Sequence, residues 1–262
     1  MHIRKILDSI ALTSAIALLL SCSNSTMGSK VDERAEFQIE HVVYEDSITS
    51  EDGSIYYKAD IDVPVAGPDS LLSCIREWIN EELGGSYTGE LNCDTAMLSS
   101  YAAYFFENGI DDEQAGLGTQ LSIRKTYETD TYVSYLMQGQ TYTGSVHGMP
   151  FTKGMTFSKT DGSRLDWDVF TDTQPLKTIL LHAIREQYFE GNDSDFVQAI
   201  DIMVKDTTDF PLPETDPWFT ADSIQFVYQP YEIAPYAAGL PTCRIALKAL
   251  LPYLSPKVKG LF

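Results

Sequence analysis

In the stretch TYTGSVHG, residues 141–148, Gly144 and Gly148 bracket a single histidine, His147. Glycine enters backbone conformations closed to other residues, so such a turn can set the imidazole at a defined spot. There it can titrate near neutrality, bind a metal or orient a ligand. Further along, QPYEIAPYAAGLP, residues 229–241, crowds three prolines, two tyrosines and a glycine around one glutamate, Glu232. Catalysis by either group needs a nucleophile and an orienting partner beside it. Neither stretch supplies them locally, and there is no GxSxG, HExxH or phosphate-cradling glycine loop. The pattern leaves His147 open between a structural turn and a site residue. Glu232 reads first as a hydrogen-bonded anchor rather than a general base.

The loop's own chemistry says how it is held. Pro230 and Pro235 keep Gln229 and Ala234 extended, Gly239 permits a turn, and Pro241 fixes the exit. The result is a pre-shaped connection between two strands, presenting Tyr231, Glu232 and Tyr236. A rigid aromatic loop loses little entropy on binding. It is equally suited to closing the end of a sheet.

Around these motifs, alternating runs at 36–46, 54–63, 119–128, 131–142 and 149–158 predict strands. Asp69 or Ser70 is expected to cap a helix whose apolar stripe is Leu71, Leu72, Ile75, Trp78, Ile79 and Leu83. A second helix is expected from Asp94, a third from Asp172 or Thr173 to about Glu190, and a weaker one over 195–204. LDWDVF, 165–170, reads as a short strand or connector. Two short strands over 217–228 and one at 242–247 enclose the proline-rich loop, and a short helix ends near Leu254. Strands and helices come in blocks, which predicts an α+β fold with mainly antiparallel sheets and packed helices. Two sub-lobes are expected, 35–140 and 141–262.

The 262-residue chain carries 18 basic and 38 acidic residues, a formal charge of −20. That field repels phosphate backbones and argues against nucleic acid as a partner. It suits solubility and would attract basic proteins. The 15 tyrosines, against 12 Phe and 3 Trp, fit sheet packing or half-wet recognition surfaces.

At the start, Arg4 and Lys5 precede the apolar stretch Ile10–Leu20, about half of what a spanning helix needs. This is the pattern of a secretory leader. Its end, Leu19-Leu20-Ser21-Cys22, resembles the bacterial lipobox, which implies cleavage after residue 21 and lipidation of Cys22. More than one acyl chain gives stable anchoring. Residues 22–34 then read as a flexible tether. Outside the cytoplasm disulfides are allowed. Cys74, Cys93 and Cys243 remain, and Cys74 with Cys93 is the expected pair. Their spacing does not suit metal binding, and neither a metal nor any other cofactor is expected.

YEIAPYAAG at 231–239, preceded by IQFVYQP, resembles the C-terminal signature of the extracytoplasmic domain of RsiV-type anti-sigma factors, also found with some secreted polysaccharide deacetylases. YTGSVHG at 142–148 is similar to that family's Gly-Gly-Ala-His-Gly turn, with Ser145 and Val146 where Gly and Ala are commoner. The resemblance runs from near Phe37 to Leu254. It implies an extracytoplasmic α+β domain used for binding, not an enzyme, with His147, Tyr231, Glu232 and Tyr236 as the binding residues. RsiV-type members bind lysozyme, so lysozyme-like basic proteins or peptidoglycan fragments are the expected partners. The expected form is a stand-alone lipoprotein of the cell envelope, facing the periplasm or the cell surface. A structural envelope protein without a ligand site, or a hydrolase acting on polysaccharide through His147 and Glu232, are the alternatives.

Overall fold

The computed structural model describes residues 36–50, 53–108, 117–144 and 147–261. The leader, Cys22, the tether 22–34, Ser145 and Val146 lie outside the described residues. Strands β1 (Gln38–Ser50) and β2 (Gly53–Ala66) form an antiparallel pair. Side chains alternate across a strand, and in β2 Tyr57, Ala59, Ile61 and Val63 all point to the buried face. Helices α1 (Asp69–Glu82) and α2 (Thr95–Asn108) then cross over, so that β3 (Leu117–Glu128) pairs parallel with β2. A parallel neighbour requires such a crossover. β4 (Tyr132–Tyr142) and β5 (Met149–Ser158) follow antiparallel, giving the order β1-β2-β3-β4-β5.

The helix starts differ from one another. Pro68, not Asp69 or Ser70, precedes the first turn of α1, and its carbonyl accepts the Leu72 amide at 3.0 Å. Asp94 does cap α2 as expected, its carboxylate accepting the Met97 amide at 2.9 Å. Leu71, Ile75, Trp78 and Ile79 of α1 are buried against the sheet. The Trp78 indole stands edge-on to Tyr135 and Phe157, with ring centroids 6.4 and 5.8 Å away.

The chain from 165 onward builds a second core. LDWDVF is neither strand nor simple connector: Trp167–Val169 makes a 3-10 turn capped by the Asp166 carboxylate. α3 (Gln174–Ala183) continues through a wider turn at Ile184–Tyr188, and α4 (Asp193–Ile200) is capped by Asn192. β6 (Trp218–Phe219), β7 (Ser223–Val227) and β8 (Thr242–Ala246) form a three-stranded antiparallel sheet. The fold is therefore α+β with predominantly antiparallel sheets, as expected.

Hydrogen bonds and ring packing join the two sheets. The Phe219 amide donates to the Thr156 hydroxyl at 2.8 Å, and that hydroxyl meets Ser134 Oγ, also at 2.8 Å. The Tyr132 hydroxyl donates to the Thr220 carbonyl at 3.1 Å. Trp218 lies so close over Gly154 that a Cβ there would fall 2.2 Å from its ring. Only glycine leaves room for this indole.

Cys74, Cys93 and Cys243 are free thiols, so the expected Cys74–Cys93 bridge is not formed. Cys74 is half-buried on α1 and engages Arg164, whereas Cys93 is buried in the core ahead of α2.

Candidate functional site

The site grows from the loop between β7 and β8. Gln229 fixes its start by bonding β5 twice: its amide nitrogen donates to the Thr152 carbonyl at 2.7 Å, and its oxygen accepts the Thr152 amide at 3.2 Å. One side chain thus imitates a strand partner. The chain then turns sharply. The Tyr231 amide donates to the Ala234 carbonyl at 3.1 Å, and the Glu232 amide to the Gln229 carbonyl at 3.2 Å. The turn forces Tyr231 to φ +71°, a conformation that costs a bulky residue about 1–2 kcal/mol. At the far end Tyr236–Ala238 forms a 3-10 turn, and Gly239 exits at φ +77°. The Tyr188 hydroxyl from beyond α3 clamps this end on the Ala238 carbonyl.

These restraints bring the two sequence motifs together. The His147 ring stacks on Tyr236 with centroids 3.5 Å apart and planes 13° from parallel. The Tyr236 hydroxyl donates to the Gly148 carbonyl at 2.9 Å, and His147 Nδ1 lies 3.4 Å from the same oxygen. For the latter contact to be a hydrogen bond, Nδ1 must carry the proton. The Tyr231 ring stands 6.5 Å from Tyr236, tilted by 32°, and is 44% exposed. His147, Tyr236 and Tyr231 therefore form one aromatic surface, held by backbone bonds on both sides.

Glu232 plays a different part. Its Oε2 accepts the Glu214 amide at 3.3 Å, while Oε1 is buried without a partner. Burial pushes this carboxyl above the ordinary carboxylate range, against the pull of the amides of Gln229 and Glu214. Glu232 is an anchor that ties the loop to residues 214–216. A depression of about 110 Å³ lies beside that segment, lined by Trp78, Glu82, Lys153, Glu214, Thr215 and Asp216. Burial, followed by the charge of Asp166, raises the Asp216 carboxyl as well.

Sequence reading did not single out Gln229, Thr152 or Tyr188 as parts of this site. A glutamine before a proline offers one weak signal, because the proline holds it extended and its amide is free to pair like a strand. Tyr188 gave none. His41, on β1, lies opposite Asp62 in the β1–β2 register. It stands 3.0 Å from Asp60 and 3.1 Å from Asp62, and Arg124 Nη1 donates to its Nδ1 at 3.0 Å. This is a cross-strand charge network, legible only once the register is known. Among the described residues, no group of three or more His, Cys, Asp and Glu is placed to hold a metal ion. No described helix is long and apolar enough to cross a membrane.

An α+β domain with a stiff aromatic loop between the last two strands is the class that fold and site define. Residues 167–248, which include that loop, match the model of a family described as "Protein of unknown function (DUF3298)". The His147 turn precedes the matched segment. Among the solved structures that share the fold are two DUF3298 family proteins. A member of the DUF3298 family from Bacteroides fragilis is 15% identical with a TM-score of 0.69, covering 87% of this chain and 97% of that one. A DUF3298 family protein from Pseudomonas aeruginosa is 16% identical with a TM-score of 0.62, covering 87% of this chain and 98% of that one. No curated protein matches the chain.

Proposed function

We propose that this chain is a lipid-anchored binding protein of the bacterial cell envelope, held by Cys22. In this reading it presents His147, Tyr231 and Tyr236 to a lysozyme-like enzyme or to cell-wall glycan. The observation that carries the reading is the 3.5 Å stack of His147 on Tyr236. It fixes two flat rings in advance, so little conformational entropy remains to be lost when a partner docks. Tyrosine is also a preferred anchor at protein interfaces, being both apolar and able to hydrogen-bond. The formal charge of −20 suits a basic partner and would speed its approach. The resemblance to RsiV-type domains puts lysozyme first among such partners.

The reading is one of binding, not catalysis. The stack uses one face of the imidazole, and Glu232 is buried, with one carboxylate oxygen held by the Glu214 amide. A purely structural role has one observation in its favour, since the Tyr236 hydroxyl and the Gln229 amide are both satisfied internally. The exposed, strained Tyr231 does not fit that role.

The test is binding of the compact unit Glu33–Phe262 to immobilised lysozyme and to peptidoglycan fragments across a salt series. Saturable binding that persists at physiological salt and weakens in His147→Ala supports the proposal. Binding lost by about 0.15 M salt is charge attraction alone and overturns it, as does binding to neither ligand.

A further inference from the structure

A strand carries amides and carbonyls along both of its sides, and each group needs a partner or water. β1 has a strand partner on one side only. It stands first in the order β1-β2-β3-β4-β5, and β2 runs along its whole length, from Gln38 opposite Ala66 to Ser50 opposite Gly53. On its other side, none of the described residues forms a backbone hydrogen bond with it. Exposure agrees, since no residue from Gln38 to Thr49 is buried, whereas β2 buries Tyr57, Ala59, Ile61 and Val63. The far edge of the same sheet is closed: Gln229 pairs with Thr152 of β5, and Phe157 bridges to Arg164.

An open edge is a template for another chain, and proteins guard it with short strands, lysine, proline or bulges. β1 uses few of these. Strands are commonly about 5–6 residues long, but β1 has 13, with neither lysine nor proline among them. Its one irregularity lies at the very start, between Gln38 and Ile39. The middle, Val42-Val43-Tyr44, favours extended pairing, and Val43 is 51% exposed. What β1 does carry is negative charge, from Glu40, Glu45 and Asp46. Those carboxylates are a selective guard. In a chain of formal charge −20 they repel a second copy of the same edge, and they favour a strand with positive side chains.

We propose that the free edge of β1 docks an extended, basic peptide segment of another protein, which adds to the five-stranded sheet as a further strand. Main-chain hydrogen bonds along the edge hold it. Its side chains alternate between the two faces of the sheet. On one face, apolar ones extend the rim made by Val42 and Tyr44, which pack partly buried against the core. On the other they lie beside His41, Val43 and Glu45, all exposed. Lysine or arginine among them answers the three carboxylates of β1. The loop that carries Tyr231 and Tyr236 is fastened to β5, at the other edge of the sheet. This docking edge is therefore separate from that surface and independent of the lysozyme reading.

Two labelled probes test it with the purified protein, read by fluorescence anisotropy. The first is a peptide of about ten residues alternating lysine and valine, blocked at both ends, whose lysines keep it from pairing with itself. The second has the same sequence but is methylated at every backbone amide nitrogen, so it keeps the charge and loses the donors. The first should bind at least roughly tenfold more tightly than the second, and its binding should slow hydrogen exchange at the amides of β1. Val43→Lys places a cation in the middle of the edge and should weaken binding of the first peptide at least roughly tenfold. Because Val43 is half exposed, Tm should not change. Equal affinities for the two peptides would reduce the effect to charge and overturn the proposal. So would no binding of the first, an affinity untouched by Val43→Lys, or sedimentation showing a dimer that Val43→Lys dissociates, since the edge would then belong to a second copy.

Discussion

Tyr231 and Glu232 stand side by side in a turn that suits neither of them. Tyr231 takes φ +71° and Glu232 keeps a buried carboxylate oxygen without a partner. Such local costs persist only where the surroundings fix the conformation, and they cluster at binding sites. Glu232 has a consequence with a definite sign. Its folded carboxyl is raised above the ordinary value of 4.5 by burial. The stability it contributes is therefore full below about pH 4.5 and is lost as pH rises through the raised folded value. Glu232→Gln, which stays neutral, should escape that decline. Thermal melts of the two proteins should diverge in favour of the variant as pH rises above about 4.5. Parallel curves would show that Glu232 keeps an ordinary pKa. Tyr236→Phe separates the stack from its anchor. It removes the 2.9 Å bond to the Gly148 carbonyl but keeps the ring, and a loss of about 1 kcal/mol in urea unfolding is expected.

The helices and strands are where packing constraints show most directly. Gly154 lies in the middle of β5, beneath the Trp218 indole. Gly154→Ala should force that ring off the sheet and destabilise the protein by about 1–3 kcal/mol in denaturant melts. An unchanged midpoint would mean that β6 does not rely on this seat. A second expectation concerns the cysteines. Since Cys74, Cys93 and Cys243 are free thiols, thiol titration of denatured, unreduced Glu33–Phe262 should count all three. A count of one would restore the bridge.

Much of this level was legible in the sequence. β1, β2 and β3 alternate in burial because α1 and α2 cover one face of their sheet. Parts of β4 and β5 are buried on both faces, because β6 packs on the other side. The parallel β2–β3 pairing was not legible, because periodicity reports which face is buried and not which neighbour is hydrogen-bonded. The cap of α1 was misplaced because Pro68 supplies an extended residue and a carbonyl without a side-chain acceptor. The candidate site was half legible. Both motifs were visible as motifs, but Tyr236 reaches Gly148 across 88 positions, and only the folded chain brings them into one surface.

The two cores of the protein meet along β5 and β6, through the Phe219–Thr156 bond and the seat of Trp218 on Gly154. Gln229 crosses the joint to pair with Thr152, while Tyr188 closes the loop from the side of α3. The loop is rigid because both sides hold it. In the proposed binding role, the acidic composition would supply long-range attraction for a basic partner and the aromatic rings the short-range contact. These two contributions separate with salt, since screening weakens the first and leaves the second.

The most direct measurement is the affinity of Tyr231→Asn for lysozyme at physiological salt, beside the wild type and with Tm recorded for both. Asparagine tolerates the left-handed backbone that Tyr231 adopts with strain, so folding should hold or improve. The proposed binding role requires that the same substitution weaken lysozyme binding at least roughly tenfold, as loss of an interface anchor does. An unchanged affinity in a stable variant would contradict the assignment of this loop as the recognition surface.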